Sequence, residues 1–386
     1  MAVLKILQKI YSSLEEKNIP CCLFLDFAKA FDTVDHNILL SKMSHYGIKG
    51  KPLKWFSSYL TRRHQVVKIG SFISDKVLMK YGVPQGSVLG PILFLIFIND
   101  ICECTSKGDT TLFADDSSLF YSSASLDQLE KDINSDLIGV SDWLVSNKLT
   151  LNIDKSFYIV FNPNKQDLKM NILLDNIPLV QSNCVKYLGI SIDSKLTWEQ
   201  HIDHVKKKLS SGIAIIYKLR NFLNQNQLKN LYFAFIHSNI LYGLEAWGSA
   251  NKSKLDCISK LINKSLRAIC FKSKDDDVKL LYDENKLLTL ENMIKMSWCT
   301  MINKSVQGFH SENFKNEVFC NLNHDKNTRN KDYNLDAPFY TLKITKNSIF
   351  CDGINYWNQN SIGKMKSKPH IFKRKIKNYF LNEQTD

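Results

Sequence analysis

The sequence predicts an α+β fold, and three features of the chain carry that prediction. Short apolar runs bounded by turn residues recur through the first half. Between them lie segments with the apolar spacing of amphipathic helices. Beyond Ser194 the pattern is mainly helical. A chain of 386 residues, 44% of them hydrophobic, can bury a sizeable core and is expected to divide into two or three domains. No low-complexity tract and no internal period suggests a solenoid.

The elements follow in order. Met1 to Pro20 reads as an amphipathic helix with Lys and Glu scattered through it. Cys21 to Leu25 is a short apolar run ending at Asp26, which suits a buried strand. Lys29 to Tyr46 has helical spacing, with Ala30, Val34, Ile38 and Leu39 on one face and Gly47 as the stop. Trp55 to Arg63 is a short aromatic and basic helix. Gln65 to Ile73 and Asp75 to Tyr81 alternate like a hairpin, with Gly70 and Ser71 near its turn. Gly82 to Gly86 is a breaker cluster, and the apolar segment after it should be a buried helix. Thr110 to Tyr121 reads as a hairpin whose turn carries Asp115 and Asp116. Leu126 to Ser146 is an amphipathic helix, and Leu149 to Phe161 is strand-like.

The formal net charge is +13, from 51 Lys and Arg against 38 Asp and Glu, which makes a polyanionic partner plausible. Arg62, Arg63, His64, Lys68 and the run Lys206 to Lys208 are candidates for tracking backbone phosphates, although singly each reads as a solvated face. The most apolar run, Pro91 to Ile98, is far shorter than the roughly 20 residues that span a bilayer, so no membrane association is expected. The ten Cys show no CxxC spacing, and no second ligand pair completes a zinc knuckle around Cys320 and His324. They read as reduced, semi-buried residues of an intracellular protein.

The chemistry lies in three carboxylates, Asp26 at a strand end and Asp115 and Asp116 in a turn between two apolar strands. Nucleotidyl transfer asks for two Mg²⁺ ions about 3.5–4 Å apart, and Mg²⁺ takes hard oxygen ligands, often one or two carboxylates with phosphates and water. Rigid strand ends are a suitable mount. Alone, an Asp-Asp pair is a solvated turn and Asp26 a strand end or helix cap. Order and spacing change that reading.

Asp26-Phe27-Ala28-Lys29-Ala30-Phe31-Asp32 resembles motif A of non-LTR retrotransposon reverse transcriptases. Gly82 to Pro91 is similar to their motif B, and Phe113-Ala114-Asp115-Asp116 to motif C. Leu149 to Asn152 with Lys155-Ser156 resembles motif D, and Tyr187-Leu188-Gly189-Ile190 motif E. Asp193, Leu196, Trp198 and His201 match the run into the thumb. The likeness continues through Tyr242-Gly243, Trp247, Gly353, Tyr356-Trp357-Asn358 and the basic helix around Phe372 to Lys375.

The resemblance implies a right-hand polymerase palm over residues 1–192, with a small, mostly antiparallel sheet backed by helices. A helical thumb over 193–272 and a helical C-terminal region over 273–386 would follow. It implies an RNA-directed DNA polymerase that takes an RNA template, a DNA primer and deoxynucleoside triphosphates. Asp26 and Asp115 would bind two Mg²⁺ ions, with Asp116 as the supporting carboxylate. Phe31 matches the steric gate against a ribose 2′-OH, although plain core packing explains a ring there equally well. Gln85 and Gly86 would contact the incoming nucleotide and template base, and Lys155 would protonate the departing pyrophosphate. In the family a fingers subdomain, and often an endonuclease, precedes motif A; here Met1 begins one helix before Asp26, so both are expected to be missing. That leaves a second expectation, a truncated, non-catalytic nucleic-acid-binding remnant. The family works on nuclear DNA after cytoplasmic assembly, so nucleus and cytoplasm are both open.

Overall fold

The computed structural model describes residues 1–163, 168–319, 335–360, 362–365 and 367–385. Cys320, His324 and most of the loop read from Asn321 to Pro338 lie outside the described residues. The chain forms two compact units, one of Lys17–Asn183 and one joining Val3–Glu16 to Cys184–Asp386. Among the described residues no helix is long and apolar enough to cross a membrane.

The first unit is built on a five-stranded sheet. Its strands lie in the order Val180–Gln181, Phe157–Val160, Ile19–Asp26, Asp116–Ser123, Asp109–Phe113. All neighbours pair antiparallel except the edge strand Val180–Gln181, which runs parallel to Phe157–Val160. The sheet is therefore mixed within an α+β unit. Ile19–Asp26 is central and buried from Pro20 to Leu25, which is why it reads as an unbroken apolar run rather than an alternating one. Leu23 and Leu25 join a core with Phe94 and Phe97 of the helix Leu89–Ile98 and with Ile133 and Val140 of the helix Leu126–Asn147. The Asp136 carboxylate of that second helix accepts the backbone N–H groups of Ser106, Lys107 and Gly108, which fixes the approach to the hairpin Asp109–Ser123. Burial alone would raise the Asp136 pKa, and these bonds outweigh it and hold the pKa below the ordinary value.

Three elements differ from the sequence reading. The helix expected from Lys29 begins only at His36. Asp35 caps it, accepting from the N–H groups of Asn37 and Ile38 at 2.9 and 3.1 Å, and Lys29 sits at φ +49 in the turns before it. The helical spacing of Ala30 and Val34 thus buries apolar side chains from a turn. The helix after Gly86 is buried on one face only, since Ile92 and Leu95 are exposed. The stretch from Leu149 to Ser156 is irregular, and the strand there is confined to Phe157–Val160. The hairpin around Gly70 and Ser71 forms, but as two short pairings, His64–Gln65 with Val77–Leu78 and Lys68–Ile69 with Phe72–Ile73.

The second unit is mainly helical. Its hairpin Cys184–Tyr187 and Ile190–Asp193 turns through Leu188 and Gly189 at φ +47 and +78, the pair of positive φ values that a two-residue turn takes. The Tyr242 hydroxyl donates to the Leu188 carbonyl at 2.6 Å. The helix Ala2–Glu15 belongs to this unit. Its Gln8 bonds Tyr340, and its Glu15 carboxylate accepts the N–H groups of Thr341 and Leu342.

His201 is buried beside Trp198 and Trp247, and its Nδ1 accepts the Ser191 N–H. Burial, reinforced by His204 and Lys208, lowers its pKa to about 4, well below the ordinary imidazole value. The folded value lies below the unfolded one, so stability is fully present above the unfolded pKa and drains away as pH falls towards the folded one. Lowering the pH from 7 to 4.5 is expected to depress the melting temperature. The variant His201→Gln should depress it less, measured by circular dichroism melts across that range; equal losses would remove His201 as the cause.

Candidate active site

The three acidic residues singled out in the sequence come together at one end of the sheet. Asp26 closes the central strand and lies directly across from Asp116, which opens the strand Asp116–Ser123. Directly opposed residues of an antiparallel pair place their Cβ atoms about 4.5–5.5 Å apart. Phe113 pairs with Asp116, so Ala114 and Asp115 form the turn between them. Ala114 holds φ +54, a conformation that costs a residue with a Cβ about 1–2 kcal/mol. Asp26 is half-buried, and Asp115 and Asp116 are exposed. Burial raises the Asp116 pKa first, and the negative charges of Asp115 and Asp26 push it further. Asp115 and Asp26 are therefore close enough for their charges to act on Asp116.

The strand end that carries Asp26 is fastened from a second direction. Its N–H donates to the Ser156 hydroxyl at 3.1 Å, and that hydroxyl donates to the Asn152 carbonyl at 2.9 Å. Asn152 N–H returns a 2.7 Å bond to the Asp26 carbonyl, and Ala28 N–H bonds Thr150. Ser156 is a positioning residue that sequence reasoning gave no role, since a buried serine ahead of an apolar strand carries no signal of its own. Lys155 sits in the 3₁₀ turn Ile153–Lys155 of the same segment. It is exposed and makes no ion pair with the three carboxylates among the described residues.

Phe31 and the Gly82–Gly86 loop are held together by backbone bonds. Val83 N–H donates to the Phe31 carbonyl and Gly82 N–H to the Val34 carbonyl, both at 2.8 Å. A Cβ on Gly82 would stand 2.8 Å from the Asp32 carbonyl oxygen, so only glycine fits. The Phe31 ring stacks on buried Phe94 at 4.7 Å between centroids and stays half-exposed on its other side. Gln85 donates to the Asp32 carboxylate at 3.1 Å. Gly86 takes φ +80 with open space around it. Gln85 and Asp32 line a cleft of about 630 Å³ together with Arg63, His64, Tyr81 and Pro84. Of the other basic candidates, Lys206 is paired with Asp203 at 3.0 Å.

Among the described residues no group of three or more His, Cys, Asp or Glu side chains is arranged to hold a metal ion. The carboxylates nevertheless suit Mg²⁺ in kind: they are hard oxygen donors whose mutual repulsion a divalent cation would relieve. Mg²⁺ is ordinarily held by one or two carboxylates with phosphates and water rather than by an all-protein cage.

Comparison with known proteins identifies the family of the first half of the chain. Residues 4–192 match the family of reverse transcriptases (RNA-dependent DNA polymerases), so this stretch of the chain is a reverse transcriptase domain. Its relatives are polymerases of non-LTR retrotransposons. A probable RNA-directed DNA polymerase from transposon X-element of Drosophila melanogaster is 29% identical, covering 69% of this chain and 30% of the relative. The RNA-directed DNA polymerase from mobile element jockey of the same species is 28% identical, covering 67% and 29%. The match thus spans about 30% of the length of these relatives. Among solved structures, telomerase from Candida albicans, in complex with a fragment of telomeric RNA, aligns at a TM-score of 0.38 and 14% identity, over 82% of this chain and 53% of that one.

Burial of a carboxylate, with like charges beside it, opposes folding at this strand end. The folded pKa of Asp116 lies above its unfolded value, so its ionised form destabilises the fold at neutral pH, and the penalty vanishes as pH falls below the unfolded pKa. Asp116→Asn is therefore expected to raise the melting temperature at pH 7 and to leave it unchanged near pH 3.5. A variant no more stable than the parent at pH 7 would contradict a cost of ionising Asp116 in the fold.

Proposed function

We propose that this chain carries the polymerising centre of an RNA-directed DNA polymerase, acting by nucleotidyl transfer on a DNA primer annealed to an RNA template. The observation that carries the reading is the register that sets Asp26 opposite Asp116 with Asp115 at the adjoining turn. Asp26 and Asp115 are the proposed holders of two Mg²⁺ ions, and Asp116 supports them from the same strand end. Bound there, such ions lower the pKa of an attacking hydroxyl and neutralise a leaving pyrophosphate. The division into palm to residue 192, thumb to 272 and C-terminal region beyond belongs to the same proposal.

The chain's own residues do the positioning. The Gln85 amide, shared with Asp32, and the backbone at Gly86 offer a polar edge and a close-approach surface to a nucleotide and its template base. The half-exposed Phe31 ring, braced by Phe94, is set to exclude a 2′-hydroxyl. Lys155, solvated and following the Asp26 anchor, is the proposed proton donor to pyrophosphate.

Primer extension with deoxynucleotides and Mg²⁺ on an RNA template tests this. The parent should extend, and the double variant Asp115→Ala, Asp116→Ala should be slower by roughly 10³-fold or more, since it loses transition-state charge stabilisation. If neither protein extends the primer while both bind the hybrid, the site binds nucleic acid without chemistry and the polymerase reading fails.

Phe31 separates two roles. Phe31→Val should lose the aromatic pair with Phe94, worth about 0.5–1.5 kcal/mol beyond area burial, whichever role is right. Only a gate predicts that the preference for deoxyribonucleotides also falls, by up to about 10²-fold in relative kcat/KM. Unchanged discrimination in a folded variant would leave Phe31 as core packing alone.

A further inference from the structure

A second cleft, of about 500 Å³, lies wholly within the helical unit and takes no part in the site above. Tyr217, near the end of the helix Glu199–Leu219, forms one wall. Lys260, Asn263, Lys264 and Arg267, at the three- and four-residue spacings of one helical face, form another on the helix Lys252–Ile269. Lys272, Ser273 and Lys274 close it from the loop beyond.

Five cationic side chains therefore face one concavity. Lys260, Lys264, Lys272 and Lys274 have no carboxylate within ion-pair reach among the described residues. Two acids of the following loop shape it, and Lys272 and Arg267 lie close enough to act on the charge of one of them, Asp276. Asp276 accepts the Ser273 N–H at 2.6 Å, and Asp277 accepts the Lys279 N–H at 2.9 Å. Arg267 is held in place by the Asp276 carbonyl at 3.2 Å. Five cations set against the Asp276 carboxylate leave this cavity positive, and a polyanion is favoured there.

The cleft also carries an aromatic face. Tyr217 is 38% exposed, with Lys264 at 5.8 Å and Arg220 at 5.6 Å from its ring centroid. Phe271 is exposed beside the same Arg220, at 5.6 Å. Asn263 accepts from the Tyr282 hydroxyl through its carbonyl oxygen, which leaves its amide N–H groups to donate into the cleft. Unpaired lysines flanking an exposed ring are what a phosphodiester strand with an unstacked base requires, and a duplex, whose bases are already stacked, cannot use the ring.

We infer that this cleft binds single-stranded nucleic acid, with phosphates on Lys260, Lys264, Lys272 and Lys274 and one base stacked on Tyr217. The inference does not rest on the polymerase reading, because none of its residues serves the carboxylate site. The test is fluorescence anisotropy of the full chain with a labelled twelve-nucleotide oligouridylate over a salt series. Lys264→Glu, Lys272→Glu should weaken binding at least about tenfold and flatten the log–log salt slope by about 1.4, the share of two phosphate contacts. Tyr217→Leu should weaken binding about tenfold with the slope unchanged. Lys264→Gln, Lys272→Gln, with melting curves for every variant, guards against misfolding, and Lys107→Gln, Lys131→Gln, at exposed lysines outside the cleft, should bind as the parent does. Unchanged affinity and slope in both lysine variants would overturn the site. An effect of the lysines with none of Tyr217 would overturn the base contact and reduce the cleft to a phosphate sink. The same series with oligothymidylate tells an RNA strand from a DNA strand, and binding of either through these residues supports the inference.

Discussion

The antiparallel pairing of Ile19–Asp26 with Asp116–Ser123 is the constraint on which the site depends. A slip of one residue would turn every side chain of the strand to the other face, and Asp26 would no longer face Asp116. The register is protected by what it buries, since Leu23 pairs with Leu119 and Cys21 with Tyr121 in the core. It is protected again at its open end by the Ser156 and Asn152 bonds to the Asp26 backbone. Opposing this is the repulsion among the three acids. A fold that accepts such a penalty at one place and compensates elsewhere shows where selection for stability yields to another demand.

The glycines of the Gly82–Gly90 segment meet two different needs. Gly82 and Gly90 have no room, because a Cβ would press on the carbonyl oxygens of Asp32 and Pro84. Gly86 has room all around and needs only its positive φ. Gly82 fits the loop closely against the turn that carries Phe31, Gly90 packs the segment on its own Pro84, and Gly86 leaves a bare backbone edge where a ligand can come close. A rigid frame with one permissive point is how a loop can be both well placed and accessible.

The strands and the hairpin turn were legible in the sequence because burial and turn chemistry leave local marks. The run Cys21 to Leu25 stops at a charge, and the acidic pair interrupts two apolar segments. The helix start at His36 was not legible, because Ala30 and Val34 keep helical spacing while serving a turn, and the deciding fact is the capping geometry of Asp35. Ser156 stood in the motif D resemblance without a role for a related reason: its work is a bond to a residue 130 positions away. The cleft around Tyr217 was missed because its lysines are spread between residues 260 and 274 and singly resemble any solvated face.

The bonds from Glu15 to Thr341 and Leu342 span 326 and 327 positions, with the whole sheet unit lying between the partners in sequence. At the usual pace of about 5–20 residues per second, the helix Ala2–Glu15 leaves the ribosome tens of seconds before the segment that covers it. The sheet unit, being one unbroken stretch, is free to fold in that interval. The face of Leu4, Leu7 and Tyr11, buried in the finished protein, waits through that interval for partners from the later segment, Phe350 among them. The yield of native protein should thus be governed during synthesis by whatever shields that early helix, and slowing translation would lengthen its exposure rather than help it.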